Sequence, residues 1–172
     1  MILSLLYTYL AAGIANMAPV FLKHLSFLDM PIDCGIIIHK KRLFGDHKTW
    51  RGFIGGVIAG TIFFLVQVYA AQYGILTSLL LTKDLGFGFL ISVGALSGDL
   101  LDACIKRRLG IMEGKAFPPV DKIDYIIGAI VLGSGIYLPS WQDVLLLMVM
   151  LCTLTILVKY IGWKIGINQV SW

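Results

Sequence analysis

Five apolar runs, each near the length a helix needs to cross a bilayer, restrict this chain more than any other feature. They are Ile2–Leu22, Phe53–Tyr73, Leu85–Ile105, Ile123–Leu138 and Val144–Trp163. A hydrocarbon layer about 30 Å thick takes roughly 20 residues of helix. Inside lipid the backbone must satisfy its own hydrogen bonds, which leaves helices or closed barrels. The runs lack the alternation of barrel strands. The sequence therefore predicts an all-α integral membrane protein with five transmembrane helices. Composition agrees, because 58% of the 172 residues are hydrophobic and 14% charged, an excess that no soluble core of this size absorbs. The first run lacks the charged leader of a secretory signal and is read as a span. No repeat, low-complexity segment or linker divides the chain, so residues 1–172 are expected to form one membrane-embedded domain.

The cations give the orientation. Of 14 Lys and Arg, six fall in residues 23–52, five in 106–122, one in 74–84 and two at the C-terminal end. Positively charged loops stay in the cytoplasm. This places the N-terminus outside, the C-terminus inside, and two long loops on the cytoplasmic side. Gly56 with Gly60, and Ala129 with Gly133, form small-residue faces suited to close helix packing in lipid. Cys34, Cys104 and Cys152 make neither a disulfide framework nor a zinc spacing and are read as small apolar fillers.

The chemistry lies at the edges of those loops. In GDLLDACIKRRLG (98–110), Asp99 and Asp102 are three residues apart and so share one helix face, which Lys106 continues. Asp121 and Asp124, in PVDKIDY, repeat that spacing at the start of the next run. Carboxylates at membrane depth are expensive and usually mark a functional cavity. Four at one edge would repel unless a cation sat among them. Oxygen-only donors suit a hard ion, Mg²⁺ above all, and the absence of histidine argues against zinc. Lys106, Arg107 and Arg108 could cradle phosphate, although basic residues after a span also serve simply to hold a loop in the cytoplasm.

A third cluster, GDHKTWRG (45–52), joins two glycines to Lys48, Thr49 and Arg51 just before the second run. Glycine lets a backbone approach a ligand, and a helix N-terminus favours anions. It is not a P-loop, which needs Gly before the Lys-Thr pair, where His47 stands. Trp50 reads as an anchor of the interfacial aromatic belt. Carboxylates for metal, cations for phosphate and a lipid-embedded scaffold together suggest phosphoryl or nucleotidyl transfer to a lipid.

The run GDLLDACIKRRLG followed by PVDKIDYIIGA resembles the cytidylyltransferases that make CDP-activated lipids, and PIDCGIIIHKKRLFGDHKTWRGF is similar to their archaeal branch, the CDP-archaeol synthases. Bacterial and eukaryotic CDP-diacylglycerol synthases carry Ser where this chain has Ala103, and a Gly-His-Gly-Gly run and an Asp-Arg-x-Asp element that it lacks. The resemblance therefore implies CTP and an isoprenoid ether-lipid phosphate, 2,3-di-O-geranylgeranylglyceryl phosphate, as substrates. Phosphatidate is the alternative acceptor. It implies Asp99, Asp121 and Asp124 as metal ligands with Asp102 a fourth, and Lys106 and Arg107 on phosphate. It also implies Lys48, Thr49 and Arg51 on the nucleotide, with Gly52 and Gly98 allowing close approach. The catalytic set is then Asp99, Asp121, Asp124 and Lys106, with Mg²⁺ as cofactor, no nucleic-acid partner, and the site on the cytoplasmic side of the cell membrane.

Two other classes compete. A small transporter would need polar groups deep in several spans, whereas here they gather at one edge. A purely structural subunit would leave the four aspartates without a use.

Overall fold

The computed structural model describes residues 2–74, 85–112, 121 and 123–164. They form five helices and one small hairpin: α1 (Ile2–Leu22), β1 (Ile37–Ile38), β2 (Lys41–Arg42), α2 (Trp50–Gln72), α3 (Leu85–Leu109), α4 (Asp124–Gly133) and α5 (Trp141–Lys164). Helix α1 coincides with the first run, and α2, α3 and α5 contain most of the second, third and fifth. The fourth run differs. Its helix stops at Gly133, ten residues long, about 15 Å and half a hydrocarbon layer. The Gly133–Ser134–Gly135 sequence ends it, and residues 134–136 turn ahead of Pro139. Among the described residues, α1, α2 and α3 contain spans long and apolar enough to cross a membrane.

The chain has the surface of a protein that lives in lipid. Phe21, Ile58, Val66, Leu101 and Val149 are all largely exposed on the helices, an apolar exterior far beyond the patches of soluble monomers. Inside, Tyr9 and Phe64 both meet Phe87 edge-on, with ring centroids 6.3 and 5.8 Å away. Ile91, Ile126 and Leu147 complete this core. Helix α1 packs against every other helix, and α3 packs against α1, α2 and α4.

Glycine sets the helix spacing. A Cβ on Gly60 would run into Ser92 and α1, and one on Gly56 would lie 2.8 Å from Leu96, so the first small-residue face does serve packing. The tightest approach joins α3 to α4. A Cβ at Gly128 would strike the Gly94 carbonyl oxygen, and one at Gly98 the Asp124 carbonyl oxygen.

The first loop is built around Asp33, which is only 2% exposed. Its carboxylate accepts from Arg42 Nη2 at 2.7 Å and Nε at 3.3 Å, and from the backbone N–H of Gly35, Phe44 and Gly45 at 3.1, 3.1 and 3.3 Å. Burial acts to raise this carboxyl, but the Arg42 guanidinium and the three N–H groups outweigh it and hold it well below the usual carboxylate range. The hairpin pairs Ile37 with Arg42 and Ile38 with Lys41. His39 and Lys40 turn it with φ of 50° and 63°, the left-handed pair that suits a two-residue hairpin loop. Cys34 is exposed in this loop, so the reading of it as a buried filler is corrected: the chain must turn there, at φ 47°, to wrap the carboxylate.

Two outcomes follow. Gly128→Ala should lower the detergent melting temperature, at a cost of about 1–3 kcal/mol for overpacking. Gly135→Ala, where a Cβ meets nothing within 4 Å, is the neutral control. Asp33→Asn should cost about 1–3 kcal/mol. Because the folded carboxyl lies below its unfolded value, that difference should hold constant from pH 5 to 8 and shrink only as pH falls below about 4. Paired melting curves across pH check both the size and the sign.

Candidate functional site at the loop ends of α2, α3 and α4

Helix α2 begins at the third cluster because Thr49 caps it, its Oγ1 accepting from the Gly52 N–H at 3.3 Å. The cap fixes the preceding residue, and Lys48 Nζ reaches Asp99 Oδ2 of α3 at 2.5 Å. Two turns later on α3, Lys106 Nζ lies 2.6 Å from Asp102 Oδ2 and 2.5 Å from Asp121 Oδ1. This ammonium bridges α3 to the segment that enters α4. Asp124, 8% exposed, opens α4 and accepts from the Tyr125 N–H at 2.7 Å. It lies within electrostatic reach of Asp99, Asp102 and Lys48. The structure thus gathers all four aspartates and two lysines into one patch, drawn from three separate stretches of sequence.

Within it the lysines lie against the carboxylates. Asp102 is 3% exposed, and its Oδ1 is buried with no hydrogen-bond partner among the described residues. As the side chains stand, no three His, Cys, Asp or Glu among the described residues converge closely enough to hold one metal ion.

Beside the patch is a cavity of about 460 Å³, within the usual range of ligand sites. His47, Lys48, Thr49, Gly52 and Asp99 are among its lining residues, with Asn16, Pro19 and Val20 of α1 and Lys23 just past its end. A second, more apolar groove of about 400 Å³ runs between α3 and α4, with Gly98, Asp102 and Asp124 among its lining residues.

Three expected substrate residues sit elsewhere or serve another purpose. Arg51 turns from the cavity to pair with Asp29 at 2.7 Å and with the Leu25 carbonyl oxygen. Arg108 donates to the hairpin carbonyls of Ile38 and Arg42 at 2.6 and 2.7 Å, and to that of Lys41 at 3.4 Å, so it ties α3 to the first loop. Gly98 is needed first for the α3–α4 contact. Arg107 is half-buried in the last turn of α3. Lys115 and Lys122, with the KAFPPV segment before Asp121, lie outside the described residues, as does Lys83.

Sequence reasoning passed over Asp33, Arg42, Asn16 and Lys23. The first pair is nine residues apart, with nothing local to mark it. The second left a trace: Asn16, Pro19, Val20 and Lys23 fall at the i, i+3, i+4, i+7 spacing of one helix face, with an asparagine inside an apolar run.

Known proteins resemble this chain over most of its length. A family model described as CarS-like, CDP-archaeol synthase, matches residues 1–172. The CDP-archaeol synthase of Thermococcus gammatolerans is 35% identical over 170 residues, covering 97% of this chain and 94% of that protein. That of Methanospirillum hungatei is 37% identical over 151 residues, covering 83% and 90%. A solved structure of an intramembrane enzyme for archaeal membrane lipids biosynthesis superposes with a TM-score of 0.78 at 28% identity, covering 92% of this chain and 94% of that one. These likenesses set aside the transporter and scaffold readings: the chain belongs to the CDP-archaeol synthase family and is a membrane-bound enzyme.

Proposed function

We propose that this chain transfers CMP from CTP to the phosphate of 2,3-di-O-geranylgeranylglyceryl phosphate, giving CDP-archaeol and pyrophosphate. The observation that carries the reading is the convergence of Lys48, four aspartates and Lys106 beside a cavity bordered by apolar helix surface. A lipid-phosphate oxygen attacks the α-phosphorus of CTP. The new P–O bond forms as the bond to the bridging oxygen breaks, and pyrophosphate leaves with that electron pair. A lipid phosphate is ionised at neutral pH, so the step needs no strong general base.

The side chains divide the work. Lys48 extends into the cavity from the capped start of α2 and exchanges Asp99 for a phosphate of the nucleotide. Thr49 and Gly52 keep that wall narrow. Lys106 holds Asp102 and Asp121 in place against their mutual repulsion, and Arg107 is the phosphate contact of the second loop. Arg51 and Arg108 act on the loop that carries Lys48. The donor set suits Mg²⁺: all the donors are oxygens, and Asp102 Oδ1 is a buried acceptor with no partner among the described residues. Mg²⁺ is commonly held by one or two carboxylates together with waters and substrate phosphates, so a preformed cage is unnecessary. Asp99, Asp102, Asp121 and Asp124 would hold it, and when bound it would neutralise charge on the triphosphate and on the departing pyrophosphate. The site belongs at the cytoplasmic face of a single five-span domain with its N-terminus outside.

Detergent-purified protein with CTP and Mg²⁺ should turn over the geranylgeranylated lipid in preference to phosphatidate. Asp124→Asn should reduce that turnover by about 100-fold or more while melting like the parent. Turnover of phosphatidate alone would leave the chemistry and overturn the acceptor. A second measurement concerns the ion. Mg²⁺ with CTP should raise the melting temperature, since binding to the folded form stabilises it by mass action, and chelator should abolish both the rise and the activity. An unchanged melting temperature would count against the metal site.

A further inference from the structure

The charged patch continues on one side into the apolar groove between α3 and α4, which has Asp102 and Asp124 at its loop end. Leu101, Ile127 and Val131 line its walls and are exposed on the helix surface, so it opens sideways to lipid. From Asp124 to Leu132 the groove follows α4 for about 12 Å. The helix ends one residue later, about half-way through a hydrocarbon layer.

Its charged end is also next to the Lys48 cavity. Asp99 lines the cavity and Asp102 the groove, one helical turn apart on α3. Asp124 lies within electrostatic reach of both, and of Lys48. A group at the head of the groove is therefore beside a nucleotide in the cavity. The apolar groove between α1 and α2 has no such link. The packing of Gly52 on Pro19 and of Gly56 on Ala15 separates it from the cavity, and none of its described lining residues is charged.

Two features of the α3–α4 groove indicate what occupies it. Asp102 Oδ1 is a buried acceptor with no hydrogen-bond partner among the described residues, so the head of the groove calls for a cation. A cation there attracts a phosphate that bare carboxylates would repel. Below the head, Ser97 is the one polar side chain among the described lining residues. A lipid chain gains no hydrophobic energy on moving from bilayer to groove, so close packing must select it. Affinity then comes from the head and selectivity from the shape of the walls.

We propose that the α3–α4 groove is the acceptor-lipid subsite: the lipid phosphate lies at its Asp102–Asp124 end, held through the cation those carboxylates bind, and one isoprenoid chain runs along the glycine crossing toward the bilayer midplane. The assignment rests on the lipid-cytidylyltransferase reading and sharpens it, because it puts acceptor and nucleotide on two sides of α3 with the aspartates between them.

The test is steady-state turnover by the full chain in detergent, with CTP and 2,3-di-O-geranylgeranylglyceryl phosphate varied separately. Ile127→Trp and Val131→Trp, which fill the groove from positions that face lipid, should each raise KM for the lipid about ten-fold, the size of an overpacking cost, and leave KM for CTP within about two-fold. Val131→Ala, which empties rather than fills, should leave both constants within about two-fold, as should Ile58→Trp in the α1–α2 groove. As a readout independent of turnover, the lipid with Mg²⁺ and no CTP should raise the melting temperature of the parent and of Ile58→Trp, but not of Val131→Trp, and the lipid with chelator should raise none of them. Lipid constants unmoved by both groove-filling variants would overturn the proposal, as would a rise in KM for the lipid caused by Ile58→Trp alone. An equal rise in melting temperature with chelator would overturn the placing of the phosphate at the carboxylates. A folded parent that binds the lipid in this groove-dependent way yet turns over neither lipid would overturn the activity and leave the subsite standing.

Discussion

The contact on which the site depends is the backbone-to-backbone approach of α3 and α4. At Gly94, Gly98 and Gly128 no Cβ fits between the helices. A glycine in a helix interior costs roughly 1 kcal/mol relative to alanine, so three of them at one crossing mean that closeness itself is what the sequence maintains. Its effect is to bring the helix ends that carry Asp99 and Asp102 against the end that carries Asp124. Such proximity is costly, because like charges away from water repel and each would rather be solvated. The resolution is local: Lys48 comes in from the first loop onto Asp99, and Lys106 spans Asp102 and Asp121.

The first loop follows from the same need. Lys48 can pair with Asp99 only if some thirty residues between α1 and α2 hold a defined shape, and the apolar side chains of that stretch, Phe27, Met30 and Ile37 among them, stay largely exposed rather than packing on the rest of the protein. A single buried carboxylate, Asp33, supplies the shape by collecting Arg42 and three backbone N–H groups. Arg108 then fastens the resulting hairpin to the last turn of α3. The basic residues from which a cytoplasmic loop is expected are also the ones that organise it.

Much of this was legible in the sequence. The spans could be read because lipid imposes a length and forbids exposed backbone, and the carboxylate clusters because charge at a span edge is too costly to be incidental. The Lys48–Asp99 pair was not legible. It joins residues 51 apart, and only the packing of α2 on α3 brings them together. The partners of Arg51 and Arg108 were not legible for a related reason, since an arginine looks the same in sequence whether its fork meets a phosphate or a backbone carbonyl. The shortened α4 was missed because Ile123–Leu138 is apolar apart from Asp124 and Ser134, and hydropathy alone cannot tell a helix from a turn at Gly133–Gly135. Asp33 gave no signal, because three of its partners are backbone N–H groups and the fourth, Arg42, lies nine residues away.

The pairing of lysines with aspartates also bears on how such a site can exist without its substrates. Four bare carboxylates at a membrane edge would favour protonation or local unfolding, and either would disorder the place where a triphosphate must land. Internal ammonium groups neutralise them at no entropic cost of capture, since the cations are already tethered. Yet a lysine is a better stand-in for a divalent ion than a replacement for one: it carries one charge on a flexible stem and exchanges partners without bond breaking. Under the proposed nucleotidyl transfer, a nucleotide arriving with its own cation would let the ammonium of Lys48 move from carboxylate to phosphate, and the net charge of the patch would change little. Lys106, bound on two sides and only 13% exposed, has less freedom to do so. The two lysines therefore differ in kind: Lys48 is tied to one carboxylate and Lys106 to two, and the helix crossing beneath them keeps that distinction.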